Sequence, residues 1–267
     1  MKISIITATY NSQKTISQNI SSVLDQSFKN FEQIIVDNNS DDNTVLIAKQ
    51  FYQLHGVSDK LKIIKEKDQG IADAFNKGIQ AAQGEIIAIL NSDDELYDHT
   101  VFADVHKIFS DSKALFVHGD IFFADAFYGS NIRKPLESNV IGLVFNHPAM
   151  FIRKEVYDKV GCYDTTFRYS MDFELYCRLK KTYHDTKNIS AYIAKPIVTM
   201  NAGGASWHYE IDSINEIKRA MKLHGFWNVD GVVYFLGRYF RVWIKRYVTM
   251  FGLSNLIKFW RKRKWKG

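Results

Sequence analysis

The chain has 267 residues, 46% of them apolar, three prolines and a net charge of +6. That is enough apolar sequence for a packed core, and it excludes a chain built mainly of disordered linkers. The two cysteines, Cys162 and Cys177, fit no metal-ligand or redox spacing and point to a reducing cytosol; no stretch reaches the roughly 18 apolar residues of a bilayer span, and Ile3 to Ile6 is too short for a signal peptide.

Lys2 to Ile6 reads as a first strand, followed by the polar turn Thr7-Ala8-Thr9-Tyr10-Asn11-Ser12. A helix is predicted over about Gln13 to Gln26, because Ile16, Ile20, Val23 and Leu24 fall on one stripe. Phe31 to Val36 reads as a second strand, ending in Asp37-Asn38-Asn39-Ser40-Asp41-Asp42, and Thr44 to Leu54 as a second helix. Leu61 to Ile64 is a third strand, followed by Lys65 to Gly70, and Ile71 to Ala82 a third helix that Gly84 ends. The unbroken apolar run Ile86 to Leu90 reads as a strand buried on both faces, and it stops at Asn91-Ser92-Asp93-Asp94-Glu95.

Strand and helix alternate three times, so a parallel sheet with right-handed crossovers is expected. Its carboxyl edge would collect Thr7, Asn11, Asp37, Asp68, Asp93 and Asp94, the edge where open α/β sheets bind ligands. Neither the dinucleotide glycine fingerprint nor a phosphate-cradling loop follows the first strand. Asp37 and Asp68 are acceptors suited to a base and a ribose. Asp93 and Asp94 form either a metal pair that grips a diphosphate or an ordinary acidic turn with one Asp as N-cap.

Beyond Leu96, Val101 to Phe109 reads as a helix, Leu115 to Phe123 as a strand, and Asn131 to Pro135 as a short strand with a turn. Phe145-Asn146-His147-Pro148 leads into a strand ending at Arg153, and Lys154 to Val160 is a short helix. Asp172 to Lys181 is another helix, with Asp172 at its start, where the helix dipole favours an anion. Ile189 to Met200 is extended, Asn201 to His208 a glycine-containing loop, and Ile211 to Leu223 a helix. After Asp230 there is no acidic residue but ten basic ones, Arg238, Arg241, Lys245, Arg246, Lys258, Arg261, Lys262, Arg263, Lys264 and Lys266; without those ten, the +6 becomes −4 for residues 1–230. Tyr234, Phe235, Tyr239, Phe240, Trp243, Tyr247, Phe251, Phe259, Trp260 and Trp265 are interleaved with them, which suits an anionic membrane surface. The part up to Phe251 could equally pack on the body as an amphipathic helix.

These motifs resemble, over roughly residues 1–225, the family 2 glycosyltransferases of bacterial surface-polysaccharide and O-antigen biosynthesis, which are inverting enzymes. The resemblance implies an α/β fold of GT-A type: a Rossmann-like nucleotide-sugar-binding sheet with an acceptor-side subregion, followed here by C-terminal amphipathic basic helices. It divides residues 1–225 into a nucleotide-binding half, 1–98, and an acceptor-binding half, 99–225, with 226–267 as a membrane-associating tail. Val36-Asp37-Asn38-Asn39-Ser40-Asp41-Asp42 is similar to the motif whose first Asp contacts uracil or ribose. Asn91-Ser92-Asp93-Asp94 is similar to the metal motif of two Asp separated by one residue, with Asn91 in place of the first Asp. Ala8 stands where the family has proline.

Met171-Asp172-Phe173-Glu174 resembles the later acidic motif, whose Asp is the general base; Asp172 is alternatively an N-cap. The resemblance therefore implies donor contacts from Thr7, Thr9, Tyr10, Asn11, Asp37, Asp68, Asp73, Asn76, Asn91, Ser92 and Asp93. It implies Mg²⁺ or Mn²⁺ on Asp93 and Asp94, and acceptor contacts from His147 and Arg153. Asp73 and Asn76 either touch the donor or fix a helix near it, and His147 either lines the acceptor site or is a satisfied polar residue. Trp207 and His208 either close over the diphosphate or belong to a surface loop. The implied partners are a nucleotide-sugar donor, in first place a UDP-sugar, a lipid-linked sugar acceptor, and the inner face of the cell membrane, with no nucleic acid. A sugar-nucleotide nucleotidyltransferase and a nucleic-acid-binding protein using the basic tail are the alternatives; the first usually carries a glycine- and arginine-rich loop where this chain has Thr7 to Ser12.

Overall fold

A computed structural model describes residues 1–124, 130–138, 142–184, 186–201 and 209–251. Its first half alternates strands β1 (Ile3–Thr9), β2 (Phe31–Asp37), β3 (Leu61–Lys65) and β4 (Ile86–Ile89) with helices α1 (Ile16–Leu24), α2 (Thr44–Leu54) and α3 (Ile71–Ala81). These four strands are parallel, in the order β3-β2-β1-β4. β1, β2 and β4 are buried almost throughout, which is why they read as continuous apolar runs rather than alternating ones.

α1 spans its apolar stripe but is shorter than the predicted Gln13 to Gln26, because Ser12 to Thr15 form a turn before it. Gly84 does not cap α3: Ala82, already extended, follows the helix. Gly84 is needed for close approach instead. A Cβ there would lie 2.6 Å from Ser4 Oγ and 2.7 Å from the Lys2 carbonyl oxygen. Its N–H donates to Ser4 Oγ at 2.8 Å, fastening the chain to the start of β1.

The second half continues the same sheet. It contains β5 (Glu95–Leu96), α4 (Val101–Asp111), β6 (Phe116–Ala124), β7 (Asn131–Arg133), β8 (Leu136–Ser138), β9 (Gly142–Val144), β10 (Met150–Arg153), α5 (Lys154–Val160), α6 (Met171–Tyr183), β11 (Ser190–Asn201), α7 (Glu210–Leu223) and α8 (Val229–Met250). The strand order is β3-β2-β1-β4-β10-β6-β11-β5, with β7 paired to β6 and a separate β8-β9 hairpin. The first four strands are parallel as expected; beyond them β10 runs antiparallel to both β4 and β6, while β6 and β11 are again parallel. The reversal brings the residues before β10, including His147, to the carboxyl edge of β4, and carries Arg153 to the opposite edge, in register with Ile86.

Two apolar cores sandwich the sheet. One face packs against α1, α2 and α4 through residues such as Ile16, Ile20, Ala48 and Phe102. The other packs against α3, α5, α6 and α7 through Phe75, Ile79, Tyr157, Leu175 and Met221. Each fully buried Ile or Phe contributes about 1.5–3 kcal/mol relative to exposure, so the cores fix both faces of the edge strands' neighbours firmly. α8 adds Phe235 and Val242 to the second core. Among the described residues no helix is long and apolar enough to cross a membrane.

Candidate active site

The parallel strands end along one edge, and their turns are tightly wound. Asn11, after β1, and Asn39, after β2, both sit in the left-handed region, at φ 51° and 52°. Asn tolerates that conformation better than most residues. Asn11 N–H donates to Ser40 Oγ at 2.9 Å, and Asn11 Oδ1 accepts the Asp41 N–H at 3.0 Å, so the two turns hold each other.

Asp37 is fully buried at the end of β2. Its Oδ2 accepts the hydroxyls of Ser40 at 2.5 Å and Thr9 at 3.0 Å, and its Oδ1 accepts the Ser40 N–H at 2.9 Å. Asp68 caps its own turn, accepting the Gly70 N–H at 2.9 Å. Burial raises the Asp68 pKa; the Gly70 N–H and Lys77 oppose that, and the negative charges of Asp73 and Asp37 reinforce it. Asp37 and Asp68 therefore share one electrostatic neighbourhood.

The turn after β4 is built more rigidly than its sequence shows. Asn19, buried on α1, donates to the carbonyl oxygens of Asn91 at 2.8 Å and Asp94 at 3.0 Å. Asn201, at the end of β11, donates to the Asp93 carbonyl at 2.8 Å. Neither residue carries a local sequence signal, because both act across more than 70 positions. Ser92 shares a 2.9 Å hydroxyl contact with Ser12. Asp93 is exposed, whereas Asp94 is buried and accepts Asn91 Nδ2 at 3.0 Å. Burial, then the adjacent Asp93, pushes the Asp94 pKa up to about 7, against the Asn91 hydrogen bond.

Asn91 Oδ1 is buried and has no hydrogen-bond partner. Two carboxylates beside an orphaned amide oxygen make an all-oxygen donor set, which suits a hard divalent cation. Among the described residues no cluster of three or more His, Cys, Asp or Glu side chains could hold a metal by itself. The fit is to an ion such as Mg²⁺ that takes one or two carboxylates and completes its shell with phosphate and water.

Beyond this edge, Asp172 sits in the first turn of α6 and lines a cavity of about 230 Å³ with His147, Phe145, Tyr169 and Ser213. Its Oδ1 accepts the Phe173 N–H at 2.8 Å. His147 stacks on Phe75 and shares a 2.7 Å hydrogen bond with the Tyr163 hydroxyl. Burial lowers the His147 pKa, while the Asp172 charge opposes the shift. Glu174 points away, as helical spacing requires, into an ion pair with Arg178 at 2.8 Å and a hydrogen bond with His224 at 2.9 Å.

Several expected donor contacts have other work. Thr7 is fully buried and accepts Gln33 Nε2 at 2.9 Å in a network with Asn19 and Tyr52 beneath α1 and α2. Asp73 accepts the Gln69 N–H at 3.0 Å and pairs with Lys77, so it fixes the start of α3. Asn76 holds the Tyr163 backbone through two 2.8 Å hydrogen bonds. Arg153 is not brought to the acceptor side. It donates to the Ala114 and Phe109 carbonyls, both at 2.8 Å, at the opposite sheet edge. Tyr10 is exposed at the near edge. Trp207 and His208 lie outside the described residues.

Residues 4–173 match the family model described as glycosyl transferase family 2, and the chain belongs to that family. It is 28% identical over 180 residues to a PGL/p-HBAD biosynthesis glycosyltransferase of Mycobacterium bovis, covering 66% of this chain and 68% of that one. An uncharacterized glycosyltransferase of Nostoc sp. is 40% identical over 99 residues, 37% of this chain and 30% of that one. A putative teichuronic acid biosynthesis glycosyltransferase, TuaG, of Bacillus subtilis is 38% identical over 94 residues, 35% of this chain and 36% of that one. The matched stretches thus span about a third of the Nostoc and Bacillus relatives.

Among solved structures, S. aureus TarS 1-349 in complex with UDP-GlcNAc superposes with a TM-score of 0.68 at 18% identity, over 90% of this chain and 73% of that one. The mannosyltransferase PcManGT of Pyrobaculum calidifontis, in complex with GDP-Man and Mn²⁺, superposes with a TM-score of 0.62 at 16% identity, over 83% and 63%. The fold is that of the GT-A glycosyltransferases. Family membership sets aside the nucleotidyltransferase alternative.

Proposed function

We propose that the protein is an inverting hexosyltransferase that takes its sugar from a nucleotide-diphosphate donor, a UDP-sugar, and works in bacterial polysaccharide biosynthesis. The observation that carries this is one sheet edge with Asp37, Asp68, Asn91, Asp93 and Asp94, followed by a cavity with Asp172 on its wall. TarS with UDP-GlcNAc and PcManGT with GDP-Man and Mn²⁺ share the fold and support a nucleotide-sugar donor and a divalent ion. The UDP-GlcNAc bound by TarS favours uracil, with the buried Asp37 bracing the Thr9 and Ser40 turns through its hydrogen bonds.

Transfer proceeds by a single displacement. The acceptor oxygen forms a bond to the anomeric carbon as the bond from that carbon to the β-phosphate oxygen breaks. Asp172 Oδ2 takes the acceptor's proton, and the nucleoside diphosphate leaves with the bond's electron pair. His147 lines the acceptor cavity, where burial lowers its pKa, and is placed to hydrogen-bond a sugar hydroxyl. Asp93 and Asp94, with Asn91 Oδ1 as a further oxygen, would hold Mg²⁺ or Mn²⁺, which would supply Lewis-acid neutralisation of the leaving diphosphate. A screen of nucleotide release across UDP- and GDP-sugars with Mn²⁺ tests the reading. Release from UDP-sugars supports it, and release from GDP-sugars alone transfers the donor assignment to guanine.

The acceptor is a lipid-linked sugar diphosphate, met at the inner face of the cell membrane. α8 supports this. Only Phe235 and Val242 of its apolar residues are fully buried, while Val233, Leu236, Phe240, Trp243, Tyr247 and Met250 are all at least half exposed. These six recur every three or four positions, which makes one outward apolar stripe. Arg238 and Arg241 lie between them, and no acidic residue follows Asp230. A self-associating pair of such helices would bring like charges together, whereas an anionic leaflet neutralises them, by about 1 kcal/mol for each basic residue. Lys258 to Lys266, with Trp260 and Trp265, lie outside the described residues. The full chain is expected to co-sediment with anionic vesicles and release at high salt. Replacing Leu236, Phe240 and Trp243 together by Ser should weaken that binding at least about tenfold, since each loses buried apolar area. Unchanged binding by the triple variant would sink the role given to α8.

A further inference from the structure

We infer that Glu216, on α7, is a positioning residue for Asp172; this rests on the reading of Asp172 as the general base. The Glu216 carboxylate accepts three successive backbone N–H groups. Its Oε1 takes Arg168 at 2.8 Å, and its Oε2 takes Tyr169 at 2.8 Å and Ser170 at 2.9 Å. Ser170 is the residue before α6, and Asp172 is two positions further on.

The need for such a clamp is visible in α6 itself. A helix N-terminus leaves backbone N–H groups unpaired, and a Ser at Ser170's position normally turns its hydroxyl to them. Here Ser170 makes no side-chain cap. Its hydroxyl reaches α7 instead, 3.1 Å from the Ser213 carbonyl oxygen and 2.8 Å from the Ser213 hydroxyl. One turn further along α7 is Glu216. One turn beyond that, Arg219 donates to the Thr166 carbonyl at 2.6 Å and covers the Phe167 ring at 3.8 Å. Three successive turns of α7 therefore grip residues 166–170.

The strongest grip is the carboxylate, because charge-assisted hydrogen bonds are about twice as strong as neutral ones. A negative group beside the start of α6 also complements the helix dipole. The consequence is a fixed first turn, and so a fixed direction for Asp172. Its Oδ1 is held by the Phe173 N–H, and the side chain lines the cavity that Tyr169, Ser170 and Ser213 also line. Base catalysis depends on that direction, since misplacing a reacting group by about 1 Å costs on the order of 100-fold in rate.

The test compares Glu216→Gln, Glu216→Asp, Asp172→Asn and the double variant Glu216→Gln/Asp172→Asn. Turnover is read as UDP released from a UDP-hexose with Mn²⁺, and binding by UDP titration. Glu216→Gln keeps one acceptor but turns an amide N–H₂ toward backbone donors, so kcat should fall by about tenfold or more with UDP affinity unchanged. Glu216→Asp keeps the charge and should recover much of the loss. In the double variant, kcat should be no lower than in Asp172→Asn alone, because a misplaced base that has already been removed costs nothing further.

Losses that multiply in the double variant, or a wild-type kcat in Glu216→Gln, overturn the inference. If Glu216→Gln does not fold, Ser213→Ala carries the same comparison, with a lower kcat expected beside Asp172 and no added loss beside Asn at that position. An Asp172→Asn variant with full kcat overturns the base assignment itself, whereas a large loss there with multiplying effects overturns the role of Glu216 alone.

Discussion

Asp172→Asn should lower kcat by about 10²- to 10⁴-fold, the contribution expected of a positioned general base. The substitution is nearly isosteric and keeps an oxygen for the Phe173 N–H, so the first turn of α6 should survive it. What it removes is basicity at the wall of the cavity shared with His147. UDP affinity should stay within about twofold, because the change acts only where the acceptor proton is transferred. Measured kcat and UDP titration together separate the two sides of the site. A variant that lost UDP affinity but kept kcat would place Asp172 with the donor.

Asp93→Ala should abolish measurable turnover, and a chelator should inhibit the wild type to a similar degree. The Asp93 carboxylate is exposed, and the buried Asp94 beside it has its pKa pushed up to about 7. Without Asp93, Asp94 faces less repulsion but remains the single carboxylate of the turn. A diphosphate brought to such an edge carries its own negative charge, and the one buried carboxylate left beside it holds a cation poorly. Lewis-acid assistance is a matter of several kcal/mol in the transition state, so its loss is expected to exceed about 10³-fold. Near-wild-type turnover by Asp93→Ala in chelator would remove the metal from the account.

The repeating strand-and-helix pattern was legible because fully buried parallel strands are continuous apolar runs, and Ile86 to Leu90 could hardly be anything else. Lys154 to Val160 and Thr44 to Leu54 form helices over the predicted residues. The antiparallel β10 was not legible. Its four residues, Met150–Arg153, carry no signal of direction, and only tertiary pairing decides it. Arg153 was misplaced for that reason.

Within the site, residue type and position at a strand end pointed to Asp37, Asp68 and Asp93 as candidates, whereas Asp172 was proposed from its place at a helix start and its resemblance to the family's later acidic motif. The division of labour around them was not readable. Thr7 and Asn76 have the same polar character as a ligand contact, yet their hydrogen bonds go to Gln33 and to the Tyr163 backbone. Asn19, Asn201 and Glu216 act on residues far away in sequence, and nothing local marks them.

In the proposed mechanism a single carboxylate, Asp172, activates the acceptor for one direct displacement at the anomeric carbon. The anomeric configuration of the product tests it most directly. With a UDP-α-hexose donor, NMR of the new glycosidic bond should show the β configuration. An α product would require a second displacement or front-face attack, and would contradict the account.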